Sequence, residues 1–199
     1  MRIRAFAKQF AQLLVALVLV SSCSWRAVAQ NEHSHSATAR SQSVTNDHNG
    51  QAGALLQVVR EATERFKDVE VAKAEGYGLV FGCVTGPEAG AMGMHFLKPS
   101  LLTTNLDPRQ PQIVIYEPRP DGTLRLVGAD FLVFAKDWDA LHPGNPPQLM
   151  GQLFHFFDKP NRFGLEPFYT LHVWAWKDNP NGAFVNWHPN IDCQSFAGQ

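Results

Sequence analysis

The run Leu124–Phe134, LRLVGADFLVF, restricts the possible folds more than any other part of the chain. Side chains alternate across a strand. Leu126, Gly128, Asp130, Leu132 and Phe134 therefore share one face, and Val127, Ala129, Phe131 and Val133 share the other. Upstream stands Pro120-Asp121-Gly122, a turn in which proline presets one torsion and glycine takes the positive one. Gln112–Glu117 precedes that turn, so the two runs predict an antiparallel hairpin. Leu79–Val84 and Tyr169–Trp176 read as further strands. A Gly-rich loop (Gly86, Gly90, Gly93) leads into Met94-His95-Phe96, and a Pro/Gly-rich connection over His142–Pro147 leads into an expected short helix, Gln148–Phe157.

One long helix is expected over residues 53–75. Leu55, Val59, Ala62, Phe66 and Val69 recur at spacings of four and three and form one apolar stripe. Glu61 and Arg65 stand in the favourable i,i+4 order, and Gly76 supplies a C-terminal stop. The expected architecture is a single α+β domain over residues 53–199, with an antiparallel β-sheet and the long N-terminal helix packed on one face. No repeat or second domain is evident, and about 150 residues suit one domain.

The N-terminus reads differently. Arg2, Arg4 and Lys8 form a basic head, Phe10–Val20 is a short apolar run, and Ala27-Val28-Ala29 fits an A-x-A cleavage site. Residues 1–29 are therefore expected to be a signal peptide and the product to be exported, periplasmic or extracellular. The alternative is a membrane-tethered lipoprotein, because Val20-Ser21-Ser22-Cys23 resembles a lipobox that would lipidate Cys23. Residues 30–52 are polar and read as a flexible tail, with His33, His35 and His48 as weak metal ligands at most. No later run is apolar for long enough to cross a bilayer. Loss of residues 1–29 would remove four basic residues and no acid, leaving 13 basic and 18 acidic residues. That balance argues against a nucleic-acid partner, which needs clustered positive charge.

Cys83 and Cys193 then remain as an even pair in an oxidising compartment, and a disulfide is expected between them. Free thiols, or Cys83 as a nucleophile, are the alternatives.

Alternation also picks out the candidate chemistry. His172 shares a strand face with Trp174 and Trp176, while Asp130 and Glu117 sit at alternate positions among apolar neighbours. A carboxylate in such company is costly unless paired, hydrogen-bonded or bound to metal. His95 follows the Gly-rich loop. If the strands are neighbours, His95, Glu117, Asp130 and His172 converge as a set suited to Zn, Fe, Mn or Cu, or as a histidine base oriented by a carboxylate. Tyr116, Trp174, Trp176 and His188 are the candidate walls of a small-molecule pocket, with Leu149–Phe157 as a possible flap. Each also has a plainer reading as core packing. No G-x-S-x-G, P-loop, strand-linked G-x-G-x-x-G or C-x-x-C-H motif is present.

The strings ATERFKDVEVAKAEGYG (Ala62–Gly78), MGMHF (Met92–Phe96), YEPRPDGTLRLVGADF (Tyr116–Phe131) and YTLHVWAWKDNPNGAF (Tyr169–Phe184) make the chain similar to a group of exported bacterial proteins of unknown function. That resemblance covers most of residues 55–193. It implies one exported domain and no assigned activity. In the group the acid after LVG is often Glu, where this chain has Asp130. The leading expectation is an exported domain that binds a small ligand or divalent metal, with catalysis left open. The contrasting one is a non-enzymatic envelope protein whose aromatic face is core or a partner surface.

Overall fold

The computed structural model describes residues 50–86 and 88–198. The expected signal peptide, Cys23 and the tail histidines lie outside the described residues. Six strands form one antiparallel sheet: β1 (Gly78–Gly86), β2 (Gly90–Leu97), β3 (Ile113–Pro118), β4 (Leu124–Phe134), β8 (Phe168–Val173) and β7 (His155–Phe157), in that spatial order. A separate two-stranded hairpin pairs β5 (Gln148–Leu149) with β6 (Gln152–Leu153). The described chain is mostly β, with few helices.

Helix α1 covers residues 50–63 of the described chain, so it already includes the last residues of the expected tail. Its fully buried Leu55 and Val59 pack on Ala129 and Phe131 of β4 and on Leu171, Val173 and Ala175 of β8 and its extension. The alternate residues of these strands serve the second face of the sheet, where Phe96, Tyr116, Leu132, Phe168 and Trp174 join the larger core cluster.

The helix expected over residues 53–75 is broken into three pieces. A 3-10 turn, Glu64–Lys67, follows α1, and α2 (Val69–Ala74) starts afresh with Asp68 accepting from Glu70 N. The break has local and distant causes. Thr63 turns its hydroxyl back to the Val59 carbonyl at 2.6 Å. Tyr116, far along the chain, donates its hydroxyl to the Phe66 carbonyl at 2.7 Å. Phe66 thereby enters the larger core instead of continuing the Leu55–Val59 stripe. Arg65 pairs with Glu75 at 2.9 Å, so the Glu61–Arg65 pair expected on one continuous helix is replaced. Gly76, at φ 95°, ends α2.

The β3–β4 hairpin turns at Pro120-Asp121-Gly122, with Gly122 at φ 80°. Residues 148–157, expected as a helix, are instead the β5–β6 hairpin followed by β7. Met150 (φ 46°) and Gly151 (φ 80°) both take the left-handed conformation, which matches the twist of a two-residue hairpin and ends any helix. Helix α3 (Ala135–Leu141) follows β4 directly.

Cys83 of β1 and Cys193 form a disulfide that closes a separation of 110 residues. Such a closure stabilises by roughly 4–5 kcal/mol in the chain-entropy picture. Residues 91 and 188 bridge backbone to backbone, with Ala91 N donating to His188 O at 3.1 Å and His188 N to Ala91 O at 3.0 Å. The C-terminal segment is thus tied to the sheet by a disulfide and by a backbone bridge. No helix among the described residues is long and apolar enough to cross a membrane.

Candidate metal centre

Strand register brings three polar side chains together inside the larger core. Asp130 of β4 lies directly opposite His172 of β8 and, on its other side, opposite Ile113 of β3. His95 of β2 comes from beyond β3. Its approach depends on Gly93, at φ 87°, where an added Cβ would stand 2.7 Å from the Tyr116 carbonyl oxygen. The Gly93 carbonyl in turn lies 3.1 Å from His95 Nδ1. All three side chains are at least 96 % buried.

One ligand atom from each of His95, Asp130 and His172 lies within 4.8 Å of the others. The two Nε2 atoms are 3.4 Å apart. Two nitrogens each ~2.1 Å from one tetrahedral ion would stand about 3.4 Å apart. His172 Nδ1 is 3.6 Å from Asp130 Oδ1 and has no hydrogen bond. Thr170 donates its hydroxyl to the same Asp130 oxygen.

The surroundings set the tautomers. His95 Nδ1 faces a carbonyl oxygen, so it carries the proton and leaves a lone pair on Nε2. His172 Nδ1 faces a carboxylate, and Asn186 Oδ1 is a second buried acceptor without a hydrogen bond. A proton on His172 Nδ1 would face these acceptors and leave a lone pair at Nε2. In that tautomer two lone pairs face each other across 3.4 Å, an arrangement a cation between them relieves.

Charge points the same way. Burial pushes His95 down to about 4, with the His172 imidazole adding to the shift. Burial pushes His172 down to about 3, with His155 adding to it and Asn186 opposing it. Burial raises Asp130 to about 6, against the pull of His95 and of the Thr170 hydroxyl. At neutral pH the cluster holds two neutral imidazoles and one carboxylate. Among the described residues no lysine or arginine pairs with that carboxylate; its one ion-pair contact is His172. A buried uncompensated anion is costly. This buried His–Asp–His group could hold a metal ion.

Above the cluster lies a cavity of about 20 Å³, walled by Phe81, Met92, Phe157, Phe163, Leu165 and Phe168, with Thr170 also reaching it. A cavity of that size holds about one water.

The other candidates lie elsewhere. Glu117 stands at the end of β3, where it accepts from Lys177 Nζ at 2.6 Å and from Asp192 N at 3.2 Å. It anchors the C-terminal segment and is not in the His–Asp–His group. Tyr116 is fully buried with its hydroxyl on Phe66. Trp174 is buried in the larger core, donates to the Val185 carbonyl at 2.6 Å and meets the His188 ring edge-on at 5.0 Å. Trp176 turns to the helix side, donating to Thr63 Oγ1 at 2.9 Å under the Lys67 ammonium. His188 is wholly buried, and its Nδ1 accepts from Asn190 N at 3.1 Å.

The cavity walls are phenylalanines, not tryptophans. Of the segment expected as a flap, Leu149 and Phe154 pack in the helix-side core and only Phe157 borders the cavity. The roof comes from the loop before β8. Its turn is built on Asn161, which accepts from Leu165 N at 3.2 Å and donates to Leu165 O at 2.9 Å. Sequence reasoning missed Thr170 and Asn186. Thr170 was within reach, because it stands two residues before His172 on the same strand face.

Comparison with protein-family models, curated proteins and solved structures finds no match to this chain.

Proposed function

We propose that this is an exported domain that binds one divalent first-row transition metal through His95 Nε2, His172 Nε2 and a carboxylate oxygen of Asp130. One observation carries the reading: two buried imidazoles hold their Nε2 atoms 3.4 Å apart, beside a buried carboxylate that no lysine or arginine among the described residues neutralises. Two nitrogens and one oxygen suit Zn²⁺ or Fe²⁺ and leave coordination positions over. Asn186, which acts on the His172 ring and whose buried Oδ1 has no hydrogen bond of its own, is the candidate outer-shell acceptor for that ring.

Export rests on the leader-like N-terminus, on the resemblance to exported bacterial proteins and on the Cys83–Cys193 disulfide, which is compatible with an oxidising compartment.

The test is metal analysis of protein purified without a polyhistidine tag, together with thermal melting after adding Zn²⁺, Fe²⁺, Mn²⁺ or Cu²⁺. The expected result is close to one ion per chain and a raised melting temperature. No bound metal and no thermal shift with any of the four would leave the cluster as core packing, the role its neighbour Trp174 already fills.

A further inference from the structure

The cavity above the cluster limits what else the ion can take. This inference rests on the metal reading. An ion of charge +2 with one carboxylate leaves the buried site at +1. A single monoanion restores neutrality, and neutrality is what an apolar enclosure favours. The cavity between the cluster and its roof is small, about 20 Å³. The wall is apolar except at Thr170, whose hydroxyl proton is already committed to Asp130. Thr170 therefore offers only lone pairs, and these accept from a ligand that carries a proton.

Size, charge and hydrogen bonding together describe hydroxide, or the water from which a metal generates it. Phe163 and Leu165 form the roof. Phe163 closes the cavity by packing on Phe81 at 5.4 Å, on Phe168 at 6.1 Å and on Phe157 at 6.3 Å between ring centroids. It is only half-buried and sits in the Asn161-centred loop. Shortening it therefore enlarges the cavity from the solvent side and leaves the sheet that carries the ligands in place.

We infer that the metal's open position takes a single water-sized, proton-bearing ligand of the hydroxide class, and that Phe163 sets this size limit.

The test uses the cobalt(II)-loaded full chain, with azide as the probe and the visible ligand-field spectrum as readout. Wild type should take up one cobalt ion and show no spectral change with azide. Phe163→Ala should retain the ion and bind azide about tenfold more tightly or better, the scale of removing a small apolar obstruction. Leu165→Ala, in the same roof, serves as a second variant should Phe163→Ala melt too low to load. Equal azide affinity in wild type and both variants would overturn the size limit. No azide response in any loaded protein would overturn the open position. Failure of wild type to take up cobalt would instead count against the metal reading itself.

Discussion

At Asp130 the chain buries a carboxylate beside a cavity walled largely by phenylalanines, and that burial raises its pKa. Asp130→Asn keeps the shape and the Thr170 hydrogen bond but removes the charge. The metal-free variant is expected to be more stable than metal-free wild type by about 1–3 kcal/mol, the range seen when buried ionic groups are replaced. It should also lose metal binding. Urea unfolding with and without metal checks both, and destabilisation of the metal-free variant would contradict the assignment. Glu117 should behave oppositely. Glu117→Ala leaves Lys177 only its Asn190 carbonyl partner and frees Asp192 N, at a cost of about 1–3 kcal/mol. Its metal content should be unchanged. Alternation along β3 put Glu117 in apolar company but could not show that its partner lies 60 residues further on. A strand pattern reports which face a side chain takes, not which distant loop covers that face. Trp176 lay beyond the pattern for a related reason: β8 ends at Val173, so alternation no longer fixes its direction.

Among the elements, β4 was legible to its end residues, because an apolar run of eleven lies between a turn and a helix, but its alternation breaks at Val127, where the register shifts and Val127 joins Leu126 in the larger core instead of Ala129 and Phe131. The breaks in the first helix were not, since one of their causes, the Tyr116 hydroxyl on Phe66, arrives from β3. Residues 148–157 misled for a local reason. A run of large apolar residues suits a buried helix as well as short strands, and the Met150-Gly151 turn decides between them only through its backbone torsions. The β1–β2 pair is irregular on both sides of His95, with register shifts between Leu79 and Phe81 and between Phe81 and Cys83, and Gly93 lies two residues before it. Gly93→Ala combines a positive φ with a Cβ 2.7 Å from the Tyr116 oxygen. It should cost about 1–3 kcal/mol, the scale of a strained backbone position. It should also weaken metal binding, because the Gly93 carbonyl holds the His95 tautomer. Calorimetric titration with Zn²⁺ reads the affinity; unchanged affinity would contradict the dependence of His95 on Gly93.

For the whole molecule, two cores share one sheet. The helix-side core fixes the strands, and the opposite core holds the His–Asp–His group at its edge. This organisation sets the acid response of the metal-free protein. His95, His172 and His188 have folded pKa values below the ordinary 6.5, chiefly through burial. The unfolded chain therefore takes up protons that the folded chain refuses, and stability falls as pH drops below about 6.5 towards 4. Asp130 acts in the opposite sense. Its folded value near 6 exceeds the ordinary 3.8, so its contribution is present at low pH and is lost as pH rises through 6. Three histidines outweigh one carboxyl, so the melting temperature should fall between pH 7 and pH 4.5. The fall should be steeper in Asp130→Asn, which lacks the opposing group. A melting temperature that rises on acidification would contradict this account.

The central claim is that His95 and His172 hold one ion between their Nε2 atoms. Diffraction from crystals of the untagged chain, recorded on both sides of the absorption edge of the metal it carries, tests this most directly. The account predicts one anomalous peak within metal–ligand reach, about 2.0–2.2 Å, of both Nε2 atoms and of an Asp130 oxygen. A metal peak elsewhere on the chain, or a direct hydrogen bond between the two imidazoles with no anomalous peak, would contradict it.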